Sequence, residues 1–460
     1  MEKYQHETSR VFVALLDAEN SYGGHDLSIF FFRLNPKSIT APQMFGRLDV
    51  ATNDWCDGIF AALWRKTMRS KKEEFYWLVL DGPVDPMWIE NLNSVLDDSK
   101  ILTLANGDRL SLPSTVKIVF EPRDVDNASP ATVSRNGMIY MSSSGLDWKP
   151  KLKCWISRNE MPEKHSGPIN ELFNKTFEAA WKYAAVELSF VMPILQVNVF
   201  QAILMLLEGI LPCLQPLDEE EEKRRRNLKK NKSKKRYDDD EEEEAPTEEV
   251  DDDPFQNDNE QTFIFALCWA FGSFLEDEGR TKFEAFLRDS TGLKFPQLDK
   301  GDSIYDCHVN PRTGEWKHWN TFVENYVPPE ISPNTYGDIL IPNVSSIRTD
   351  FILDTCVRLG GNVLITGVQG SAKTSILNAF LSKYNPEERI YLKSNFSATT
   401  NPQIFQKTLE SSVDKRMGST FGPPIGKTMT IFIDDLNQPE VNPWGDQITN
   451  ELFRYVGSLA

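Results

Sequence analysis

The stretch that decides the fold reads Asn362-Val363-Leu364-Ile365-Thr366, followed at once by Gly367-Val368-Gln369-Gly370-Ser371-Ala372-Lys373-Thr374. Its first five residues predict a β-strand. The glycines let the backbone turn tightly, so that successive N–H groups face a phosphate at the N-terminus of the next helix. Lys373 can reach the β- and γ-phosphates, and the Thr374 hydroxyl can bind Mg²⁺. The stretch therefore predicts a phosphate-binding loop of the Walker A type, with ATP or ADP and Mg²⁺ as its ligands.

One residue of this loop departs from the usual pattern. Ala372 stands where a glycine normally precedes the lysine, so the expression G-x-x-x-x-G-K-[ST] is missed by one methyl group. The residues after the loop support the assignment, because apolar side chains recur there at helical spacing, at Ile376, Leu377, Phe380 and Leu381. We expect a strand, the loop and a helix in that order.

A second motif supplies the carboxylates that such a loop requires. An apolar run ends in two aspartates at Met429-Thr430-Ile431-Phe432-Ile433-Asp434-Asp435. This is the Walker B form, in which Asp434 supports Mg²⁺ and Asp435 stands where a glutamate commonly polarises the attacking water. Because aspartate is one methylene shorter than glutamate, we expect slow hydrolysis.

Another tripeptide, Gly426-Lys427-Thr428, imitates the end of a phosphate loop. Only three residues separate Gly422 from Gly426, two of them are prolines, and no helical pattern follows. We therefore assign this tripeptide to a loop that enters the Walker B strand.

A degenerate copy of the arrangement occurs earlier in the chain. Residues 75–81 also have Walker B form, which makes Asp81 a candidate metal-binding residue. The next residue is Gly82, which has no side chain to act as a base, and no Walker A sequence precedes it. The sequence thus indicates two α/β cores, of which the first cannot hydrolyse nucleotide in this way.

Length and charge limit the remaining possibilities. A chain of 460 residues is long enough for two to four domains. Residues 218–253 hold 17 acidic and 10 basic residues, so they contribute −7 to the net charge of −18. The basic block is enclosed by acidic runs, which disfavours nucleic-acid binding and predicts a disordered polyampholyte insert at about residues 216–258.

The cysteine pattern and the hydropathy indicate a reduced compartment and no membrane. The six cysteines are scattered and contain no C-x-x-C pair, and Cys307 beside His308 has no further partner for metal binding or nucleophilic catalysis. No signal-peptide pattern opens the chain. The uncharged stretch at residues 188–207 contains Pro193 and three amide side chains, so we interpret it as a buried helix pair.

Several longer phrases carry a resemblance to a known family. Residues 84–98, 43–49 and 131–138 are closely similar to the second AAA+ module of dynein heavy chains, and the similarity continues through residues 263–286. The third module is matched by the phosphate loop and by residues 341–343, 413–418 and 442–447. The resemblance covers roughly residues 32–460 apart from the insert, and Asp434-Asp435-Leu436-Asn437 looks more axonemal than cytoplasmic.

This resemblance implies a fold and a division into domains. The fold is α/β, with tandem AAA+ P-loop NTPase modules, each a parallel sheet with flanking helices, joined by a helical lid domain that carries the disordered insert. Residues 1–31 are unmatched, 32–148 form the second module's large subdomain without a Walker A, and 149–330 form the lid and linker region. Residues 331–460 form the third module's large subdomain, truncated after Walker B. An incomplete gene model is the expected origin of the unmatched segment.

The resemblance also implies roles for individual residues. The second module would hold ATP without turning it over, with Asp81 near the metal. Arg135 aligns with an arginine finger that acts on the main hydrolytic site of the preceding module, a module expected to lie outside this chain. The third module would be a regulatory nucleotide site. Expected partners are the neighbouring AAA+ modules, intermediate and light chains, and microtubules through regions absent here, in the cytoplasm, the cytoskeleton and the axoneme of a cilium or flagellum.

Two other functions remain open from the sequence. One is a nucleotide-binding scaffold with little hydrolysis, which Gly82, Ala372 and Asp435 favour. The other is a midasin-like AAA+ machine, which would account for tandem modules and an acidic tract but not for the long second-module phrases.

Overall fold

The computed structural model describes residues 28–69, 74–142, 147–214, 259–299, 301–311, 313–323, 341–416 and 421–459. These residues fall into two compact units, the first formed by residues 1–143 and 384–460 and the second by residues 144–383. The predicted disordered insert at 216–258 and most of the unmatched segment 1–31 lie outside the described residues, so both remain predictions.

The N-terminal part of the first unit is an α/β layer. Its strands are β1 (Ser28–Leu34), β2 (Gly46–Leu48), β3 (Trp55–Asp57), β4 (Glu74–Leu80), β5 (Ile101–Thr103), β6 (Arg109–Ser111) and β7 (Val116–Phe120). Its helices are α1 (Ala41–Phe45), α2 (Ile59–Met68), α3 (Pro86–Ile89), α4 (Asn93–Leu96) and α5 (Pro130–Arg135), with short 3-10 turns at Pro36–Ser38 and Glu90–Leu92.

A parallel three-stranded sheet forms the centre of this layer, in the order β1-β4-β7. The middle strand, β4, pairs Leu80 with Leu34 on one side and with Phe120 on the other. Its apolar run is suited to that place, because a parallel strand is covered on both faces. The sheet packs on α2, where Phe60 and Trp64 are at most 1% exposed. The predicted strand at residues 75–81 is thus confirmed, and Asp81 follows its last residue.

The second unit is mainly helical. Its helices are α6 (Trp148–Arg158), α7 (Glu163–Glu187), α8 (Gln196–Ile210), α9 (Asn259–Gly272), α10 (Asp277–Ser290), α11 (Val344–Arg358) and α12 (Lys373–Ser382). A hairpin of β8 (Cys307–Val309) and β9 (Trp316–His318) and 3-10 turns at Pro212–Leu214, Ile304–Asp306 and Trp319–Phe322 complete its regular elements within the described part of the chain.

An aromatic core holds these helices together. Helix α7 places Phe173 and Phe177 four positions apart on one face, the spacing that brings side chains together on a helix. Phe173 packs edge-on against Phe263 of α9 at 4.9 Å between ring centroids, and Phe177 packs against Phe200 of α8 at 5.2 Å. The helical texture predicted at residues 168–212 and 260–290 is therefore confirmed.

The C-terminal part of the first unit holds the second Walker B run. It contains β10 (Arg389–Asn395), α13 (Pro402–Glu410), β11 (Asp414–Lys415), β12 (Phe421–Gly422), β13 (Thr428–Asp434) and α14 (Ile448–Leu459). Strands β10 and β13 are parallel, with Asn395 opposite Asp434. The predicted strand that ends in the aspartate pair is confirmed.

Two predictions about secondary structure are wrong. Residues 362–366 form no strand, and Val363 and Leu364 are 41% and 62% exposed, because no described strand of the second unit forms a ladder with this run. Residues 188–207 form one helix rather than a pair: the chain is irregular before Gln196, where Pro193 lacks an N–H for a helix. In the described part of the chain, no helix combines the length and the apolar character that crossing a membrane requires.

Candidate functional site

The phosphate loop adopts a tight conformation that leads into a helix. Gly370 has a φ of 79°, and Ala372 lies in the left-handed region at φ 59° and ψ 19°. Helix α12 begins at Lys373 and has Ala372 as its N-cap. The glycine that the usual pattern places before the lysine would enter this conformation without steric strain, whereas the Cβ of alanine costs about 1 kcal/mol there. The methyl departure noted in the sequence thus falls on the backbone position that most favours glycine.

Lys373 is folded back over the loop. Its Nζ donates to the carbonyl oxygens of Gly367 at 3.0 Å and Val368 at 2.7 Å. The Ser371 hydroxyl donates to the Val368 carbonyl at 2.9 Å, which closes the same turn. The ammonium group is therefore held by the carbonyls of the loop itself.

The Walker B carboxylates lie at the end of β13. The main-chain N–H of Phe396 donates to the Asp434 carbonyl at 3.0 Å, which holds the strand end beside β10. Asp435 leaves the strand in the left-handed region, at φ 56°, and its N–H donates to Asp434 Oδ1 at 3.2 Å. Asp435 is exposed and Asp434 is partly buried. The two carboxylates therefore differ in exposure, and their roles remain predictions.

The phosphate loop and the Walker B strand belong to different compact units. Residues 367–374 lie in the second unit, and Asp434 and Asp435 lie in the first. That they form one nucleotide site remains a prediction. The tripeptide Gly426-Lys427-Thr428 forms a turn that leads into a strand. Gly426 has a φ of 81°, the Lys427 N–H donates to the Pro424 carbonyl, and Thr428 is the first residue of β13. Its assignment to a loop entering the strand is confirmed.

Asp81, the candidate metal-binding residue of the degenerate core, is buried among arginines. It is 2% exposed, and its Oδ2 accepts from Arg33 Nε at 2.8 Å. Its Oδ1 accepts from Arg454 NH1 at 3.2 Å. Both carboxylate oxygens are therefore engaged by guanidinium groups. In this conformation a divalent cation would have to compete with two guanidinium groups for the Asp81 oxygens.

Gly82 has a packing reason to lack a side chain. A Cβ at this position would lie 2.6 Å from Asn35 Oδ1 and 3.3 Å from Pro36 Cδ. Asn35 is itself fixed, because its Oδ1 accepts from Lys37 N at 2.9 Å and its Nδ2 donates to Glu451 Oε2 at 3.0 Å. No acidic side chain can follow Asp81 without displacing this asparagine, so the absence of a hydrolytic base is built into the packing.

Arg135, the candidate arginine finger, is the last residue of α5 and contacts its own module. Its Nε forms an ion pair with Asp97, and its NH1 donates to the Ala131 carbonyl at 2.7 Å. The side chain is 32% exposed. It is thus positioned at the surface by one carboxylate and one carbonyl. Its action on another module remains a prediction.

Sequence reasoning missed the charged residues that surround Asp81 and Asp85. Lys37 is 6% exposed and its Nζ contacts Asp85 and, at 2.9 Å, Asp446, while lying 5.1 Å from the ring centre of Trp444. Some of these residues stand inside the phrases that carry the family resemblance. Their charge signs alone do not identify their partners, because oppositely charged residues are common at every strand end.

Burial disfavours the charged forms of Cys307 and His308. Burial raises the pKa of the Cys307 thiol to about 11 and lowers the pKa of His308 to about 4. The described residues contain no group of three or more His, Cys, Asp or Glu side chains arranged to hold a metal.

The fold and the loop define the class of protein: an α/β P-loop protein with tandem AAA+ cores and a helical lid. Residues 329–458 match the family model of the P-loop containing dynein motor region, and residues 169–321 match that of the dynein heavy chain AAA lid domain. The chain belongs to the dynein heavy chain family, in its axonemal branch.

Similar curated proteins agree with that assignment. The chain is 48% identical over 426 residues to dynein axonemal heavy chain 5 of Mus musculus, a match that covers 92% of this chain and 8% of the relative. It is 46% identical over 433 residues to dynein axonemal heavy chain 8 of Homo sapiens, covering 92% and 9%. It is 40% identical over 425 residues to the dynein gamma chain of the flagellar outer arm of Chlamydomonas reinhardtii, again covering 92% and 9%. The chain thus spans less than a tenth of the length of these relatives, and the matches favour dynein over the midasin-like alternative.

Proposed function

We propose that residues 331–460 belong to a third AAA+ module whose loop at residues 367–374 binds ATP or ADP with Mg²⁺. The observation that carries the proposal is the position of Lys373, which begins a helix and turns its ammonium group back over the loop carbonyls. A nucleotide phosphate is a stronger partner for that ammonium than a neutral carbonyl oxygen, because both partners are then charged. Nucleotide binding therefore requires only a local exchange of hydrogen bonds.

Two oxygen-bearing side chains suit Mg²⁺ in this module. Thr374 is the second residue of α12, directly after the lysine, and Asp434 is the last residue of β13. Mg²⁺ prefers oxygen ligands and is usually held by one or two protein groups together with substrate phosphates. In the proposed module Thr374 would bind Mg²⁺ directly and Asp434 would act through water, roles that rest on the family resemblance because the two residues belong to different compact units.

Equilibrium binding of a fluorescent ATP analogue with Mg²⁺ tests this proposal. The Lys373→Ala chain should lose binding by about a hundredfold or more, since the variant removes the one cation that the loop directs at the phosphates. Lys427→Ala is the matched control, because Lys427 also follows a glycine and precedes a threonine but lies in a turn. Equal binding by all three chains, or no binding by the parent chain, would reject the nucleotide site.

For the intact heavy chain we infer a contribution to ATP-driven, minus-end-directed microtubule motility and to the beating of cilia or flagella. The support is the family membership and the axonemal names of the relatives. The third module would then act as a regulatory site between neighbouring AAA+ modules of the same chain. The inferred setting is the axoneme, within the cytoplasm and cytoskeleton, with intermediate and light chains and microtubules as partners contacted through other parts of the heavy chain.

A nucleotide-binding scaffold with little hydrolysis is the second candidate, and Asp435 favours it. This residue is exposed and leaves the strand in a left-handed conformation, and its carboxylate is one methylene shorter than the glutamate that commonly polarises the attacking water. Single-turnover ATP hydrolysis separates the two candidates. Substantial hydrolysis that Asp435→Asn abolishes would reject the scaffold, whereas binding without turnover would support it.

A further inference from the structure

Five charged side chains, three of them buried, form a cluster at the carboxyl end of the sheet in the first unit. We name it the Asp81 cluster, and its members are Arg33, Asp81, Glu121, Glu451 and Arg454. Arg33 is the next-to-last residue of β1, Asp81 follows β4, and Glu121 follows β7. The other two members come from α14, which follows the Walker B strand of the next module. The cluster therefore joins residues that belong to two successive α/β cores.

The contacts within the Asp81 cluster are direct. Arg33 NH2 lies 2.7 Å from Asp81 Oδ2 and 3.0 Å from Glu121 Oε2. Arg454 NH1 lies 3.2 Å from Asp81 Oδ1, and its NH2 lies 3.0 Å from Glu451 Oε2. Arg33, Asp81 and Glu121 each have side chains no more than 6% exposed. Buried carboxylates and guanidinium groups need such pairing, because an unpaired charge in this environment is strongly unfavourable.

One donor of the cluster is left over. Arg33 NH1 is buried and has no hydrogen-bond partner among the described residues. An unpaired N–H group needs a hydrogen-bond acceptor, which a metal cation cannot supply. Both oxygens of the Asp81 carboxylate already accept from guanidinium groups.

The two strands that flank β4 do not lead into a phosphate loop. Both sides of β4 are occupied, by β1 and by β7. Strand β1 leads into Asn35-Pro36-Lys37 and β7 into Glu121-Pro122-Arg123, and neither continuation has the glycines of a phosphate loop. The two flanking strands deliver ion-pair partners to Asp81 instead of backbone N–H groups to a phosphate.

Other polar contacts hold the same helix in place. The Tyr455 hydroxyl donates to the Arg33 carbonyl at 2.9 Å, and Asn35 Nδ2 donates to Glu451 Oε2 at 3.0 Å. In the loop before the helix, Asp446 contacts the buried Lys37 at 2.9 Å. The joint therefore extends from residue 446 to residue 455 and is formed largely by charged and hydrogen-bonding groups.

We propose that Asp81 is not a metal ligand in this chain but the centre of an ion-pair joint that docks α14 of the third module on the sheet of the second. The second core is then a docking site whose formation needs no nucleotide. This proposal does not depend on nucleotide binding at residues 367–374. It predicts that removal of either partner loosens α14, and that removal of both has little further effect, because the two side chains act through one contact.

Hydrogen–deuterium exchange of residues 448–459 tests the joint in the 460-residue chain. Asp81→Asn and Arg454→Gln should each speed exchange by about tenfold, and the double variant should exceed the faster single variant by less than about threefold. Arg65→Gln is the matched control, since Arg65 also contacts two carboxylates in the first unit but does so at 28% exposure. Unchanged exchange in both single variants, or fully multiplicative effects, would overturn the proposal.

Nucleotide binding supplies an independent test of the metal role. In a Lys373→Ala background, the chain should show no Mg²⁺-dependent binding of a fluorescent ATP analogue. Residual binding that Asp81→Asn abolishes would show that Asp81 supports a metal and would overturn the joint. If Asp81→Asn fails to fold, Arg454→Lys provides a second variant. It keeps the positive charge but lacks the guanidinium group that reaches both Asp81 and Glu451. Hydrogen–deuterium exchange of residues 448–459 should still become faster. Failure of the third-module site would appear separately, as absent binding in the parent chain.

Discussion

Arg454 contacts Asp81 across 373 positions of sequence, with its NH1 3.2 Å from the carboxylate and its NH2 3.3 Å from the main-chain carbonyl of the same residue. One guanidinium group thus binds both the side chain and the backbone at the end of β4. Arg454 lies on α14, the helix that follows the Walker B strand β13 in sequence. Because it contacts Asp81, this contact links the helix of the later core to the sheet of the preceding core.

Replacement of Gly82 by alanine should disrupt this region. The added Cβ would lie 2.6 Å from Asn35 Oδ1, and Asn35 cannot move without breaking its bond to Glu451. We expect a loss of about 1 to 3 kcal/mol in the free energy of unfolding of the first unit, measured by urea denaturation. Gly137→Ala is the control, because a Cβ there meets nothing within 4 Å, and it should change stability by less than about 0.5 kcal/mol. Equal effects of the two substitutions would contradict the packing account of Gly82.

Replacement of Ala372 by glycine should relieve strain in the phosphate loop. The left-handed backbone at this position costs alanine about 1 kcal/mol, part of which glycine loses again through the greater entropy of its unfolded chain. We expect thermal unfolding of the second unit to shift upward slightly. Ala379→Gly, in the interior of α12, should lower the free energy of unfolding by about 1 kcal/mol. Thermal unfolding should then shift downward. If both variants unfold at a lower temperature than the parent chain, Ala372 does not adopt the left-handed conformation in solution.

The Walker motifs show which parts of the fold can be predicted from the sequence alone. Both apolar runs that end in aspartate form strands as predicted, because a run of this kind is stable where neighbouring strands cover it. The run at residues 362–366 has the same character yet forms no strand, since strand formation depends on a partner that local sequence does not specify. Lys373 was identified from a short motif, whereas Arg33 and Arg454 belong to no chemical motif and acquire their roles only when the fold brings them to Asp81.

Gly209 should tolerate no side chain, because two helices approach closely there. A Cβ on this residue of α8 would lie 2.3 Å from Thr355 Cγ2 of α11, and the Thr355 hydroxyl is already bonded to the Phe351 carbonyl at 2.8 Å. We expect Gly209→Ala to destabilise the second unit by about 1 to 3 kcal/mol, measured by urea denaturation. Gly279→Ala in α10 meets no atom closer than 3.4 Å and should instead stabilise by up to about 1 kcal/mol through helix propensity. A stabilising effect at both positions would refute the close approach.

The stability of the second unit should fall in mildly acidic solution because of His308. Its ring lies 4.7 Å from that of Phe351 and 4.9 Å from that of Trp319, and burial lowers its pKa from 6.5 to about 4. The unfolded chain therefore takes up a proton more readily than the folded chain between these two values, so stability present above pH 6.5 is lost as the pH falls toward 4. Urea midpoints measured from pH 7 to 4 should decline less steeply for His308→Phe than for the parent chain. Parallel profiles would show that His308 is not the group responsible.

Arg135 should act on a site outside this chain, and its ion pair with Asp97 provides the means to test this. In the intact heavy chain, Arg135→Gln should lower the ATPase rate of the preceding module by about a hundredfold or more, since it removes a charge that stabilises the transition state. Asp97→Asn releases the guanidinium group from its partner in the same module and should preserve the rate or increase it. If both variants lower the rate equally, the pair serves only to stabilise the end of α5. Retention of a fast rate by Arg135→Gln would exclude a finger role, because neutral glutamine cannot replace the positive fork.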